Sequence, residues 1–308
     1  MTPRFRMVAS IPHARSPDVP AAAAARGWLA GRFRIALNRP RVMGIVNVTP
    51  DSFSDGGEHA SADTARAHCD RLVAEGADIL DIGGESTRPG STPPGRAEEM
   101  ERVIPVVRHA VTLGVPVSVD TSDVEVMRAA LALGADILND VRALRAAGAL
   151  ALAAAHPTVG VCLMHMKGEP ATMQLDTTYE NDDVVTAVAR FLEERRQAAL
   201  QVGIAPERIV LDPGIGFGKS LAHNLALSAA QPALAALGAP LLLGWSRKGI
   251  LGKLNGRPVG ERVVSSVAAA LAAVRLGADI VRVHDVAETV DALKVWHALV
   301  TGAATWPA

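Results

Sequence analysis

Along most of the 308-residue chain, short apolar runs rich in β-branched residues alternate with longer stretches whose apolar positions recur every three or four residues. The short runs predict strands at 42–47, 78–82, 116–119, 136–139, 159–164, 209–211, 240–244 and 280–283. They are apolar on both faces, as strands of a buried parallel sheet are. Helical periodicity covers 61–75, where Ala62, Ala65, Cys69, Leu72 and Val73 share one face, and also 96–113, 123–133, 184–202, 220–237 and 260–276. A last helix opens with Asp285 and Glu288 at capping-box spacing and continues through Val290, Leu293 and Val295. The alanine-rich stretch 142–155 is weakly patterned, and its helix is the least defined.

Three segments nearly copy one another: Gly76-Ala-Asp-Ile-Leu-Asp81, Gly134-Ala-Asp-Ile-Leu-Asn139 and Gly277-Ala-Asp-Ile-Val-Arg282. Each starts with a glycine that can end the preceding helix and finishes with a polar residue at the strand end. Eight such units within about 270 residues predict an α/β fold, a single-domain (β/α)8 TIM barrel. An open doubly wound sheet is the alternative, but it has no reason to stop at eight. The barrel is expected over 35–304. Residues 1–34 have another composition, with six arginines, one acid (Asp18) and an alanine run, and are expected to be a mobile extension. That stretch lacks the apolar segment of a secretion signal; a transit peptide is the competing reading.

Composition narrows the function. A net charge of −1 and 3 % aromatics argue against a general nucleic-acid binder, which needs excess cations and stacking platforms. No apolar stretch approaches the roughly 20 residues of a membrane span. Cys69 and Cys162 read as buried reduced thiols, in keeping with a cytoplasmic protein.

A barrel of this kind gathers the C-terminal ends of its strands at one mouth. The tips are Asn47, Asp81, Asp120, Asn139 with Asp140, His165, Asp212, Ser246 with Arg247 and Lys248, and Arg282 with His284. One polar tip is ordinarily a cap or a loop hydrogen bond; a full ring of them predicts a polar pocket. Asp120, Asn139 and Asp212 suit a flat ligand with several N–H donors, such as a pterin or guanine edge. Asn47, Arg282 and His284 can hold a phosphate-type anion, helped by the start of the helix at Asp285. Ser246, Arg247 and Lys248 lead into a helical segment whose start can take a second anion, a carboxylate.

The loop Thr49-Pro-Asp-Ser-Phe-Ser-Asp-Gly-Gly57 is longer than an ordinary linker of about two to six residues and reads as a site loop. Pro213-Gly-Ile-Gly-Phe-Gly-Lys-Ser220 is one residue short of a P-loop and is not G-x-G-x-x-G. Its glycines are expected to let backbone approach a flat ligand, with Phe217 folded over it. His165 and His284 lack the paired spacing of a zinc site, and Lys248 beside Arg247 fits a cation or ring contact better than a Schiff base.

These pieces resemble one family. Met43-Gly-Ile-Val-Asn-Val-Thr-Pro-Asp-Ser-Phe-Ser-Asp-Gly-Gly57, Asp81-Ile-Gly-Gly-Glu-Ser-Thr-Arg-Pro-Gly90, Ser118-Val-Asp-Thr121, Ile137-Leu-Asn-Asp140, Leu163-Met-His-Met-Lys-Gly168, Leu211-Asp-Pro-Gly-Ile-Gly-Phe-Gly-Lys219, Ser246-Arg-Lys248 and Arg282-Val-His-Asp285 closely resemble the dihydropteroate synthase family. The resemblance runs from about residue 35 to 300, in the family's order.

The resemblance implies a transferase of folate synthesis that joins 6-hydroxymethyl-7,8-dihydropterin diphosphate to p-aminobenzoate, releasing 7,8-dihydropteroate and diphosphate. It implies that Asp120, Asn139, Asp212 and Lys248 hold the pterin, with Met164, Gly216 and Phe217 against it. Asn47, Arg282 and His284 would hold the diphosphate, with Mg²⁺ near Asn47. Asp51, Ser52 and Phe53 belong to a first mobile loop; Thr87, Arg88 and Pro89 belong to a second. Ser246 and the following helix start would receive the carboxylate of p-aminobenzoate. Asp120, Asp212, Lys248, Arg282 and His284 would carry the chemistry.

A homodimer through outer-wall helices and sensitivity to sulfonamides are further implications. The chain departs from the pattern at Val263-Val-Ser-Ser266, where many relatives carry a glycine, which puts local packing in doubt. Two rival readings are a catalytically silent pterin-binding paralogue and a corrinoid-dependent methyltetrahydrofolate methyltransferase, which has no need of a diphosphate pole.

Overall fold

The computed structural model describes residues 26–49, 57–86 and 90–307. After a hairpin of β1 (Gly27–Ala30) and β2 (Phe33–Ala36) come the strands β3 (Arg41–Asn47), β4 (Ile79–Gly83), β5 (Val117–Asp120), β6 (Ile137–Asp140), β7 (Gly160–Met164), β8 (Ile209–Asp212), β9 (Leu242–Leu243) and β10 (Ile280–Val283). The last eight form one parallel sheet in the order β8-β7-β6-β5-β4-β3-β10-β9. A bridge between Leu211 and Leu241, with Leu211 N donating to Pro240 O at 2.9 Å, closes the ring into a (β/α)8 barrel. The expected strand at 240–244 is cut to two paired residues here. Pro240 has no N–H to donate, so it serves the seam only as an acceptor.

The helices are α1 (Gly57–Ala74), α2 (Arg96–Ala110), α3 (Val124–Ala132), α4 (Ala149–Ala155), α5 (Val184–Gln201), α6 (Leu221–Ala229), α7 (Gln231–Ala235), α8 (Gly249–Asn255), α9 (Val263–Arg275) and α10 (Val286–Thr301). Four expectations need correction. The single helix expected over 220–237 is broken at Ala230, because Pro232 cannot continue a helix and starts α7 instead. The helix expected over 260–276 begins only at Val263, after a 3-10 turn at Val259–Glu261.

The stretch 142–155 is helical only from Ala149. Before it, the Asp140 carboxylate captures the N–H groups of Arg142 and Leu144 at 2.8 and 2.7 Å, and Ala143 and Leu144 adopt φ of 55°. At the start of α10 no capping box forms. Asp285 gives no cap bond; its carboxylate accepts from Arg247 Nε at 3.2 Å instead.

Outward strand residues, among them Leu80, Val119, Leu138, Leu163 and Val281, form the main core with Cys69 and Leu72 of α1, Val103 and Val107 of α2 and Met127 of α3. Inside the barrel, Met43, Ile79, Ile137, Cys162, Val210, Leu242 and Ile280 make a layer at the N-terminal end. The hairpin plugs this end: Trp28, Ala30 and Ile35 pack on that layer, and Trp28 Nε1 donates to Arg208 O at 2.9 Å. Its turn needs glycine at Gly31, where φ is 59° and a Cβ would lie 2.3 Å from Asp136 Oδ1.

The boundary expected between residues 34 and 35 therefore falls inside a packed hairpin. The barrel's own apolar floor would be open to water without it. Residues 1–25 of the expected extension lie outside the described residues.

Candidate active site

Side chains alternate in and out along each short strand, so the inward residues stack in layers. Register places Asp120 level with Gly83 and Asn139, and Asp81 level with Ser118, one inward layer deeper than the tips. From β10, Arg282 reaches across this space. Its Nε donates to Asp81 Oδ2 at 2.6 Å and its Nη2 to Asp120 Oδ2 at 2.8 Å. Asn139 Nδ2 donates to the same Asp81 oxygen at 3.1 Å. Asp81, Asp120, Asn139 and Arg282 thus form one connected network under the mouth.

Burial pushes the Asp120 carboxyl upward, against the pull of Arg282. Burial works against the Arg282 charge too, but Asp81 and then Asp120 more than offset it and hold the guanidinium charged. On the other wall, burial raises the Asp212 carboxyl, opposed first by Lys248; Gly214 N donates to Asp212 Oδ1 at 2.7 Å. Lys248 is brought down to about 8 by burial, with Asp212 pulling the other way. Its Nζ sits 4.6 Å from the centre of the Phe217 ring and donates to Ile215 O. Met164, Met166, Met173 and Val141 make a small apolar cluster on which Phe217 packs.

Ser246 Oγ accepts from His284 N at 3.1 Å and lies 3.0 Å from His284 Nδ1, which joins the tips after β9 and β10. Arg247 has φ of 56°, and its N–H donates to Ser266 Oγ at 2.9 Å while that hydroxyl donates to Arg262 O at 2.7 Å. The unusual Val263-Val-Ser-Ser266 segment thereby acts on the site through the backbone of Arg247, not through wall packing alone.

The structure therefore gathers Asp120, Asn139, Met164, Asp212, Phe217, Ser246, Lys248, Arg282 and His284 around the mouth, with Asn47 at the end of β3. Asp51, Ser52, Phe53, Thr87, Arg88 and Pro89 lie outside the described residues. Two of the polar tips do not face the pocket. Asp140 is turned outward to cap backbone N–H groups, and His165 faces Phe191, with ring centres 5.0 Å apart.

The glycine loop also serves a purpose other than the one expected. Gly214 and Gly218 have positive φ, and a Cβ on them would meet His165 O at 1.9 Å and Lys167 O at 2.5 Å. They let one loop pack against its neighbour. Gly216 faces Lys248 and donates its N–H to Asn224 Oδ1 at 2.7 Å.

Sequence reading missed roles for two buried residues. Lys219 Nζ binds the carbonyls of Gly214 and Phe217 at 2.9 and 3.0 Å, and nothing in a loop lysine announces that. Asp81 did carry a signal, since it is a charged residue inside an otherwise apolar strand.

A closed parallel barrel whose mouth joins buried carboxylates, an amide and cations defines a barrel enzyme for a flat, anion-bearing ligand. The chain belongs to the pterin binding enzymes, whose family model matches residues 43–284. Among them it belongs with the dihydropteroate synthases. The Neisseria meningitidis serogroup B dihydropteroate synthase is 55 % identical over 278 residues, covering 88 % of this chain and 97 % of that protein. The Xanthomonas albilineans dihydropteroate synthase structure with 4-aminobenzoic acid superposes with a TM-score of 0.84 at 53 % identity, covering 89 % of this chain and 98 % of the other. The Burkholderia cenocepacia dihydropteroate synthase complexed with 7,8-dihydropteroate gives 0.82 at 49 % identity, covering 90 % and 98 %.

Proposed function

We propose that this chain condenses 6-hydroxymethyl-7,8-dihydropterin diphosphate with p-aminobenzoate to form 7,8-dihydropteroate and diphosphate. The observation that carries this reading is the network in which Arg282 bridges buried Asp81 and Asp120 beside Asn139, opposite Asp212 and Lys248. One wall offers acceptors for the N–H edge of a pterin. The Arg282–His284–Asn47 side offers charge for a diphosphate.

In the reaction the bond between the pterin methylene carbon and the diphosphate oxygen breaks, with its electron pair leaving on oxygen. A bond from the aniline nitrogen to the same carbon forms, and that nitrogen gives its proton to solvent. Arg282 and His284 stabilise the charge on the leaving group. Asp120, partly exposed at the mouth, and buried Asp212 stabilise the cation left on the pterin. Phe217 and Met164 cover the ring, and Ser246 with the start of α8 receives the carboxylate of p-aminobenzoate. Because an aniline is a weak nucleophile, orientation contributes more than a strong base would. A sulfonamide, which offers a similar aniline, is expected to compete for that seat.

Among the described residues no group of three His, Cys, Asp or Glu side chains can hold a metal. Mg²⁺ keeps most of its waters and takes one or two protein oxygens along with substrate phosphates. Asn47 is the residue that would hold it, and when bound it would neutralise leaving-group charge.

A homodimer is part of the proposal. Leu254, Val264 and Leu299, on α8, α9 and α10, are 54, 82 and 81 % exposed, an apolar display suited to a second copy. A single monomeric species at micromolar concentration in sedimentation would remove this element. A cytoplasmic location fits the buried, unpaired Cys69 and Cys162. No described helix is long and apolar enough to cross a membrane.

The deciding experiment follows dihydropteroate formed by purified protein from the two substrates with Mg²⁺. Product that disappears on chelation is the expected result. Tight pterin binding without product would establish the silent paralogue, and no pterin binding would overturn the reading of the strand tips.

A further inference from the structure

Asp81 is fully buried, one layer below the tips, and its hydrogen bonds go only to site residues. Four other buried carboxylates at the strand ends brace backbone, with Asp136 accepting from Val117 N, Asp140 from Leu144 N, Asp212 from Gly214 N and Asp279 from Leu241 N, whereas Asp285 pairs with Arg247. Asp81 Oδ2 takes Arg282 Nε and Asn139 Nδ2, while Oδ1 has no protein partner among the described residues. A carboxylate that braces no backbone and ties two mouth residues together has a role in the site and not in the scaffold.

The arrangement of Arg282 shows what that role is. Its fork spans two depths, with Nε on deep Asp81 and Nη2 on Asp120 at the mouth. In the structure Arg282 therefore occupies one of the two Asp120 oxygens that a bidentate pterin edge would need. Gly83 makes room for the Asp120 side chain, since a Cβ there would lie 3.2 Å from Asp120 Cβ. Ligand N–H groups taking Asp120 would release Nη2 toward the mouth and leave Asp81 as the remaining anchor of the guanidinium.

We propose that Asp81 is a positioning residue that holds Arg282 and Asn139 in place while Asp120 exchanges its bond from Arg282 to the pterin substrate. This inference rests on the synthase reading, which turnover by the unaltered protein tests separately.

The test is a double-mutant cycle of Asp81→Asn with Arg282→Gln, in purified full-length protein. Asp81→Asn alone is expected to lower kcat/KM for the pterin diphosphate by about 10–100-fold, as loss of a supporting partner commonly does, with the KM for p-aminobenzoate unchanged. In the Arg282→Gln background the same change is expected to cost about threefold or less, the remainder belonging to Asn139. An equal fold-loss in both backgrounds, or a matching rise in the KM for p-aminobenzoate, would overturn the proposal.

Should Asp81→Asn not fold, the unaltered protein labelled with ¹⁵N-arginine answers the question. The Arg282 Nε–H signal, identified by its loss in Arg282→Lys, should stay protected from solvent exchange when 6-hydroxymethylpterin is added. Rapid exchange of that proton in the complex would mean that Asp81 releases Arg282, and the proposal would be wrong.

Discussion

Lys219 Nζ lies 2.9 Å from His165 Nδ1, behind the pocket wall, tying the tip of β7 to the loop that follows β8. Burial pulls the Lys219 amine well below the usual lysine range, opposed by Asp212, and the imidazole can accept from it only while Nδ1 is unprotonated. Burial, and then the Lys219 charge, bring His165 down to about 2, so it stays neutral in the folded protein.

This pair gives a pH prediction. His165 titrates near its ordinary 6.5 when unfolded and at about 2 when folded. Between those values the unfolded chain binds more protons, so stability rises with pH and is lost as pH falls below about 6.5. The slope from this group is at most about 1.4 kcal/mol per pH unit. Urea unfolding from pH 7 to 5 should show it, and His165→Asn, which keeps an acceptor near Nδ1, should flatten it. An unchanged slope in the variant would refute this assignment.

Lys219→Met should loosen the pterin side of the site. It leaves the part-buried Phe217 carbonyl without its donor, at about 1–3 kcal/mol, while the Gly214 carbonyl keeps the Phe217 N–H at 3.1 Å. The loop bearing Phe217 loses its tether, so the KM for the pterin diphosphate is expected to rise more than that for p-aminobenzoate. Urea unfolding and two-substrate kinetics separate the two effects.

Trp28→Ala should do the opposite, costing stability without touching chemistry. The side chain is fully buried in the plug at the N-terminal end, away from the mouth. A loss of about 3–5 kcal/mol is expected from the cavity and the lost transfer energy. Turnover at 25 °C should remain near that of the unaltered protein wherever the variant is still folded.

Arg282→Ala should separate the two halves of the substrate. Its kcat/KM for the pterin diphosphate is expected to fall about 10²–10³-fold, the scale for removing a preorganised charge stabiliser. Binding of a pterin without diphosphate, measured by calorimetry, should weaken far less. Equal losses of both would refute the division between a pterin wall and an anion pole.

Much of the architecture was legible because its signals are local. Strand and helix periods come from neighbouring side chains, and a polar residue closing each apolar run marks the mouth once the strands are known to be parallel. Asn47, Asp120, Asn139, Asp212 and Arg282 could be found in this way.

By itself, then, the sequence determined the alternation of strand and helix, the eight-fold repeat and the polar ring of tips, together with the family motifs. Tertiary structure alone decided which tips face inward. Strands of four or five residues, apolar on both faces, leave too little alternation to show that His165 and Asp140 turn away. It also decided the partners: Arg282 and Asp81 are 201 residues apart and meet only because sheet order brings β10 and β4 to one interior. The hairpin at residues 27–36 belongs to the same class. Its reason for being ordered is the apolar floor of a barrel that exists only after every strand has closed.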